Sequence, residues 1–340
     1  MKIKNYFLYL FLLAFLNSCF KKEEAIILPR GASTLTSIFL GENYEKELYF
    51  DFGTNSFQER QLVDWDIRFE SSKDGYGIFL NNGNDIKVRK TNLTDLLDLN
   101  NNLNDIINNK PALYDLPNGK VLNSAFGDWR TYKFNNGSGI KDGIYLIDLS
   151  YKTGLDKYYA MQIIGYTDSS YFIRVNKMGD YSNTFQEIKK NTKQNFTYYS
   201  FKGTVPQIVN NAEPDKESWD IEFTKYIHIF YNITPDPFPY SVTGAITNKN
   251  NVLVAKDTTA YYYDINWEYC KNKVFSDNSD AIGYDWKFFD RSGNLTYTVN
   301  SHYNYIIKTT EGHYYKLRFL DFYNQNREKG YPKFEFERIH

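Results

Sequence analysis

Apolar and polar residues alternate with a period of two at several points along this chain. In Trp65-Asp66-Ile67-Arg68-Phe69, and again in Trp219-Asp220-Ile221-Glu222-Phe223, the apolar residues share one side and the charged residues the other. That is the pattern of a strand with one wet face. Near the C-terminus Phe334 and Phe336 alternate with Lys333, Glu335 and Glu337 in the same way. Glu311-Gly312, between Tyr305-Ile306-Ile307 and Tyr314-Tyr315-Lys316-Leu317, reads as a hairpin turn, and Thr153 to Asp156 holds the same place earlier in the chain. One segment has a helical period: from Thr91 to Asn109, Leu93, Leu96, Leu97, Leu103, Ile106 and Ile107 recur at three- and four-residue intervals. In the matching position the later part of the chain is expected to run through Ile233 to Gly244, where Pro235, Pro237 and Pro239 favour an extended loop over a helix. The expectation is an all-β protein.

These segments form an internal repeat. Trp65 returns as Trp219, 154 residues later; Trp129 returns as Trp286, 157 later; and the run beginning at Tyr145 returns at Tyr305, 160 later. Tyr49 to Thr54 is echoed by Tyr198 to Thr204. Four landmarks in one order at nearly one spacing predict two tandem homologous β domains, residues 40–188 and 189–340, with the helix as an insertion in the first. The recurring Trp65, Trp129, Trp219 and Trp286 read as core. Asp66 and Asp220 read as architectural acceptors of backbone hydrogen bonds at a strand start.

Composition fits this picture. The chain has 340 residues, 42% hydrophobic, with 31 Tyr, 26 Phe and 9 Pro, which suits pleated, half-buried surfaces. A formal charge of −1 gives no overall basic field to hold a nucleic-acid backbone. At the N-terminus Lys2 and Lys4 precede an apolar run from Tyr6 to Leu16, then Asn17, Ser18 and Cys19. This reads as a secretory signal over residues 1–18, too short to span a bilayer. Leu16, Ser18 and Cys19 resemble the lipobox of bacterial lipoproteins, so Cys19 is the expected lipid attachment site, carrying acyl chains such as palmitate. A tether over residues 19–39 follows. Its Lys21-Lys22-Glu23-Glu24 resembles the surface-export signal of Bacteroidetes lipoproteins, which implies an outward-facing outer-membrane anchor. Cys270 is then the one remaining cysteine, so no disulfide framework is expected.

Taken in order, Trp65 to Gly83 and Tyr145 to Val175, then Tyr198 to Tyr226 and Tyr305 to Ile339, resemble the HmuY-like surface lipoproteins of Bacteroidetes, most strongly in the second repeat. The resemblance implies an all-β haem-binding lipoprotein that delivers its ligand to an outer-membrane transporter. Two copies in tandem depart from the single-domain pattern. Haem iron needs an axial His, Met, Cys or Tyr. The chain offers His228, His302, His313 and His340, and beyond the signal Met161 and Met178. Where the family pattern places its two histidines this chain has Asp290 and Arg291, and a stretch from Lys256 to Tyr263 without histidine. Neither ligand carries over. The substitutes are His228, placed by alternation on the face opposite Ile227 and Ile229, His302, and Tyr261, Tyr262 and Tyr263. With a turn at Glu311-Gly312, His313 should oppose Thr310 and His302 should lie near Asp321. Eight residues at 3.3 Å each then put His302 and His313 roughly 26 Å apart, too far to share one iron.

No nucleophile elbow, zinc-protease motif, phosphate loop or dinucleotide fingerprint is present, and Asp64 with Asp66 flank Trp65 as strand residues. The reading is therefore a binding protein and not an enzyme: a monomer, anchored to the membrane by its lipid, with haem the implied cofactor and no metal site of its own. The alternative is a lipoprotein that presents aromatic β surface to a protein or glycan without a prosthetic group.

Overall fold

A computed structural model describes residues 33–180, 183–291 and 295–339. Ser33–His340 form one compact unit. The signal, Cys19 and most of the tether lie outside the described residues.

The structure begins with β1 (Thr34–Ser37), a strand paired with the last strand of the chain where a tether was expected, and the first repeat, which starts with this strand, continues with β2 (Lys46–Asp51), β3 (Ser56–Gln61), β4 (Ile67–Glu70), β5 (Ile78–Leu80), β6 (Ile86–Lys90), β7 (Lys133–Asn135), β8 (Ile140–Asp142), β9 (Ile144–Leu149), β10 (Tyr158–Tyr166) and β11 (Ser170–Lys177). The second carries β12 (Thr184–Lys189), β13 (Phe196–Ser200), β14 (Gln207–Val209), β15 (Ile221–Phe230), β16 (Phe238–Thr247), β17 (Leu253–Asp257), β18 (Lys287–Phe289), β19 (Tyr297–Val299), β20 (Asn304–Lys308), β21 (Tyr314–Tyr323) and β22 (Lys329–Ile339). The fold is all-β, as the alternation predicts, and each repeat contributes strands in the same order.

The pairing crosses between repeats. Strands order as β12-β11-β10-β9-β6 and β14-β13-β4-β5 around one core, and as β1-β22-β21-β20-β17 and β16-β15-β2-β3 around another. The first core contains Ile67, Phe69, Tyr145, Ile147, Tyr159, Tyr199 and Phe201; the second contains Leu48, Phe50, Phe52, Ile221, Phe223, Leu317 and Phe334. Thus the first three strands of each repeat complete the sandwich of the other. The expected boundary at 188/189 falls inside β12, and both β12 and β13 pair into the first sandwich. Residues 46–61 of the first repeat pair into the second sandwich. Leu48, Phe50 and Phe52 are at most 2% exposed, so each contributes on the order of 2 kcal/mol of burial to a core built mainly by the other repeat.

Two carboxylates fix this exchange. Asp66 accepts hydrogen bonds from the Phe201 amide at 2.6 Å, the Ser200 hydroxyl at 2.9 Å and the Tyr151 hydroxyl at 2.9 Å. In the equivalent position Asp220 accepts from the Phe52 amide at 3.0 Å. The Asp66 amide donates to the Tyr199 carbonyl and the Asp220 amide to the Phe50 carbonyl. The architectural role read for both aspartates is what the structure shows. Two edge-to-face pairs repeat the symmetry, Trp65 with Tyr198 at 5.0 Å and Trp219 with Tyr49 at 4.9 Å. Trp129 and Trp286 are also buried.

The helix is shorter than its periodicity: α1 runs Asp98–Asn109. Upstream, the Thr91 hydroxyl accepts from the Leu93 amide and the Asp95 carboxylate from the Leu97 amide, local turns that compete with a helical start. Leu99, Leu103 and Ile106 pack on Ile144, Leu146 and Ala160, covering the outer face of β9 and β10. Its counterpart in the second repeat is not Ile233 to Gly244. The outer face of the second sandwich is instead covered by residues 260–275, including α2 (Trp267–Cys270), with Ile265 and Cys270 packed on Ala255 and Ile306. The proline-rich segment is the connection between β15 and β16 and the start of β16. Pro239 is accommodated there because β16 is the outermost strand of its sheet. The late hairpin turn sits at Thr310-Glu311-Gly312, so His313 opposes Thr309, one residue from its expected partner.

Where the two sandwiches meet, Glu47, Glu213 and Glu222 are almost completely buried around Arg68. Burial pushes the Glu213 carboxyl up to about 7, against bonds from Asn195 and the Phe196 amide that lower it. Glu47 and Glu222, hydrogen-bonded to one another, are both raised by burial. The folded chain therefore keeps protons that the unfolded chain releases near pH 4.5. Stability should fall as pH rises from about 5 to 7.5, where the unfolded carboxyls are charged and the buried ones must become so. We expect the melting temperature to drop by several degrees over that interval, and Glu213→Gln to flatten the slope. A melting temperature that is constant or rises across the interval would contradict the buried-proton assignment.

Candidate functional site

His228 lies on β15, half-buried, opposite Tyr240 on β16. Alternation places it beside Phe230 on the same face, with ring centroids 4.7 Å apart, and Tyr284 closes the other side at 4.8 Å. The rings continue outward: Phe230 to Tyr284 at 6.1 Å, Phe230 to Tyr240 at 6.3 Å, and Tyr240 to Phe238 stacked at 6.2 Å. Phe238, Tyr240, Tyr231 and Ile233 are all exposed, as are Phe288 and Phe289 on β18. The result is an apolar, aromatic surface at the end of the β15–β16 hairpin with one histidine set into it. Burial lowers the His228 pKa below 6.5, while the carboxylates of Asp280 and Asp285 raise it. Burial prevails, so the imidazole is neutral at pH 7 and keeps a lone pair for a ligand.

Beneath this surface Lys287 is buried under Trp286 and Phe322, with its Nζ 4.3 and 4.6 Å from their ring centroids, and donates to the Thr243 carbonyl. Burial lowers its pKa to about 7. Its strand-end position gave no sign of burial in the sequence.

The other candidates do not join His228. Tyr262 is buried, and its ring lies 4.8 Å from Lys316 Nζ and 4.5 Å from the Arg318 guanidinium. Those side chains lie on the face of β21 opposite Leu317 and Phe319, which point into the second core. A whole sheet therefore stands between Tyr262 and β15. Burial raises the Tyr262 phenol, away from the tyrosinate an iron needs. Tyr263 is exposed, and its hydroxyl accepts from Arg318 at 2.8 Å; Tyr261 is 78% exposed. His302 is exposed in the turn between β19 and β20, and His313 pairs with Glu311 at 3.0 Å. The buried Cys270 thiol is pushed up to about 11, which leaves it unreactive. Alternation along β15 was enough to place His228. Its aromatic surround was not readable, because Tyr284 and Tyr240 reach it from other segments.

Residues 192–336 match the family described as "HmuY protein". No curated protein matches. Among solved structures, apo PinO from Porphyromonas gingivitis aligns at 11% identity and a TM-score of 0.29, covering 91% of this chain and 97% of that one. An apo HmuY analogue (TFO) from Tannerella forsythia aligns at 11% and 0.25, covering 92% and 99%. A putative HmuY-like haem-binding protein from Bacteroides vulgatus aligns at 12% and 0.23, covering 89% and 90%. At such scores these superpositions carry no residue role across. The family match begins just before β13 and ends within β22, so it follows the sequence repeat and not the sandwich. Residues 192–336, the part that carries His228 and its aromatic surround, are thus similar to the HmuY family, a likeness that covers less than half of the chain.

Proposed function

We propose that the chain is a lipid-anchored surface protein that binds a flat, largely apolar ligand of the haem class on the aromatic face around His228, and passes it to an outer-membrane transporter. The observation that carries this reading is a neutral, half-buried imidazole framed by Phe230, Tyr284 and Tyr240 on an exposed apolar surface. Haem supplies an iron that takes a neutral imidazole as axial ligand, and a macrocycle whose faces suit aromatic contact. Among the described residues no second histidine lies beside His228, so the chain contributes one histidine ligand and a stacking surface. The recess between the sandwiches, about 80 Å³, is far too small for the macrocycle, which supports reading the exposed aromatic face as its contact. Lipidation at Cys19 belongs to the same proposal, since an outward-facing anchor keeps a capture protein beside its transporter.

Haemin titrated into residues 20–340 should give a saturable Soret shift at one equivalent. His228→Ala should weaken it at least about tenfold, the loss of a single strong contact, while His302→Ala and Tyr261→Phe leave it unchanged. An unaltered haemin spectrum at micromolar protein, or an unaffected His228→Ala variant, would overturn the proposal and favour the aromatic surface as a contact for protein or glycan. In the ligand-free chain the His228 imidazole should titrate below 6.5 by NMR. Asp280→Asn should lower it further, because that carboxylate favours the charged ring; a rise would contradict the assignment.

A further inference from the structure

The junction between the sandwiches holds a second feature that the His228 face does not use. A cavity of about 80 Å³ lies there, walled by Trp65, Arg68 and Phe196 on one side and by Trp219, Glu222 and Tyr226 on the other. Four buried polar atoms of residues that line it have no hydrogen-bond partner in the protein: Arg68 Nε, Asn82 Oδ1, Trp219 Nε1 and the Tyr226 hydroxyl. Trp219, Tyr226 and Asn82 are only 5, 7 and 8% exposed, so bulk water does not serve them. Buried groups of this kind are ordinarily paired.

The repeat shows how the unmet hydrogen bond arose. The Trp65 indole donates to Glu47 on β2 at 3.1 Å. Trp219 is the equivalent residue, and the position equivalent to Glu47 is Phe196, which has no acceptor to offer. One indole is satisfied from within the chain and its counterpart is not.

Charge and size then narrow the occupant. An anion, which only accepts hydrogen bonds, would leave Asn82 Oδ1 unmet, while Arg68, with Lys225 and Lys249 also in the lining, repels a cation. Glu213 is already committed to Asn195, Phe196 and Tyr198, and Glu47 and Glu222 bond to one another. What remains open is three donors and one acceptor. A hydroxyl both accepts and donates, so adjacent hydroxyls on a neutral carbon chain answer this set. A space of this order holds several waters, which suits a small polyol or one diol edge of a sugar. We propose that the junction cavity binds the vicinal hydroxyls of a small neutral polyol or of a glycan terminus, through Arg68, Asn82, Trp219 and Tyr226.

The test is a titration of the full chain with glycerol in one arm and a methyl hexoside in the other, followed by the indole N–H resonances. Trp219→Phe assigns the reporting signal. The Trp219 resonance should shift saturably while that of Trp65, already bonded to Glu47, shifts less. Tyr226→Phe removes only an unpartnered hydroxyl, so it should leave the melting temperature unchanged or higher and weaken binding by about tenfold, the value of one buried hydrogen bond. A response to glycerol identifies a free polyol as the ligand, and a response to the hexoside alone identifies a glycan terminus. No saturable shift in either arm, or equal affinity in a folded Tyr226→Phe variant, would overturn the proposal.

Discussion

The hydrogen bonds of Asp66 and Asp220 are the constraint on which the rest of this structure depends. Each carboxylate stands at the entrance of the central strand of one sandwich and receives the amide of a phenylalanine from the other repeat, Phe201 or Phe52. A buried carboxylate that accepts backbone N–H groups contributes about 1.5–3 kcal/mol per bond, and leaving it unpaired costs as much or more. Once both aspartates are satisfied in this way, Phe50 and Phe201 must enter the cores they do, and β2 and β13 must pair with β15 and β4. The sequence repeat and the packed unit are then out of step by three strands.

That offset explains where the polar chemistry collects. In a pair of separate domains, Arg68 and Glu222, which occupy equivalent positions, would each face its own surroundings. In the exchanged arrangement they meet at the junction of the two sandwiches, together with Glu47 and Glu213. The repeats have diverged at this place: Arg68 against Glu222, and Glu47 against Phe196. The outer layers have diverged as well, with α1 covering one sandwich and residues 260–275 the other. The aromatic face around His228 belongs to this second kind of divergence, since it is built on a long β15–β16 hairpin, where the equivalent β4 and β5 are only four and three residues long.

Much of this was legible in the sequence, because period-two alternation depends only on local residues. The Trp-Asp-Ile strands, the late hairpin, the burial of the four recurring tryptophans and the roles of Asp66 and Asp220 all follow from it. The exchange does not, since Tyr49 to Phe52 and Tyr198 to Phe201 are so alike that either could pair with either central strand. The overlong helix has a different cause: apolar spacing ignores the side-chain turns of Thr91 and Asp95 that hold the chain back. Pro235, Pro237 and Pro239 suggested a loop because nothing local shows that β16 is an outermost strand. His228 could be placed on a face by parity, whereas the rings around it and the unpaired groups near Trp219 are assembled from distant segments.

Amide exchange measured by mass spectrometry on Asp66→Ala and Asp220→Ala tests the strand exchange most directly. Removing Asp66 should accelerate exchange in the peptide containing Phe201 and leave the Phe52 peptide protected, while removing Asp220 should do the reverse. If Asp66→Ala instead loosened Phe52, the leading strand of its own repeat, each repeat would close on itself and the exchange of strands between the two sandwiches would be refuted.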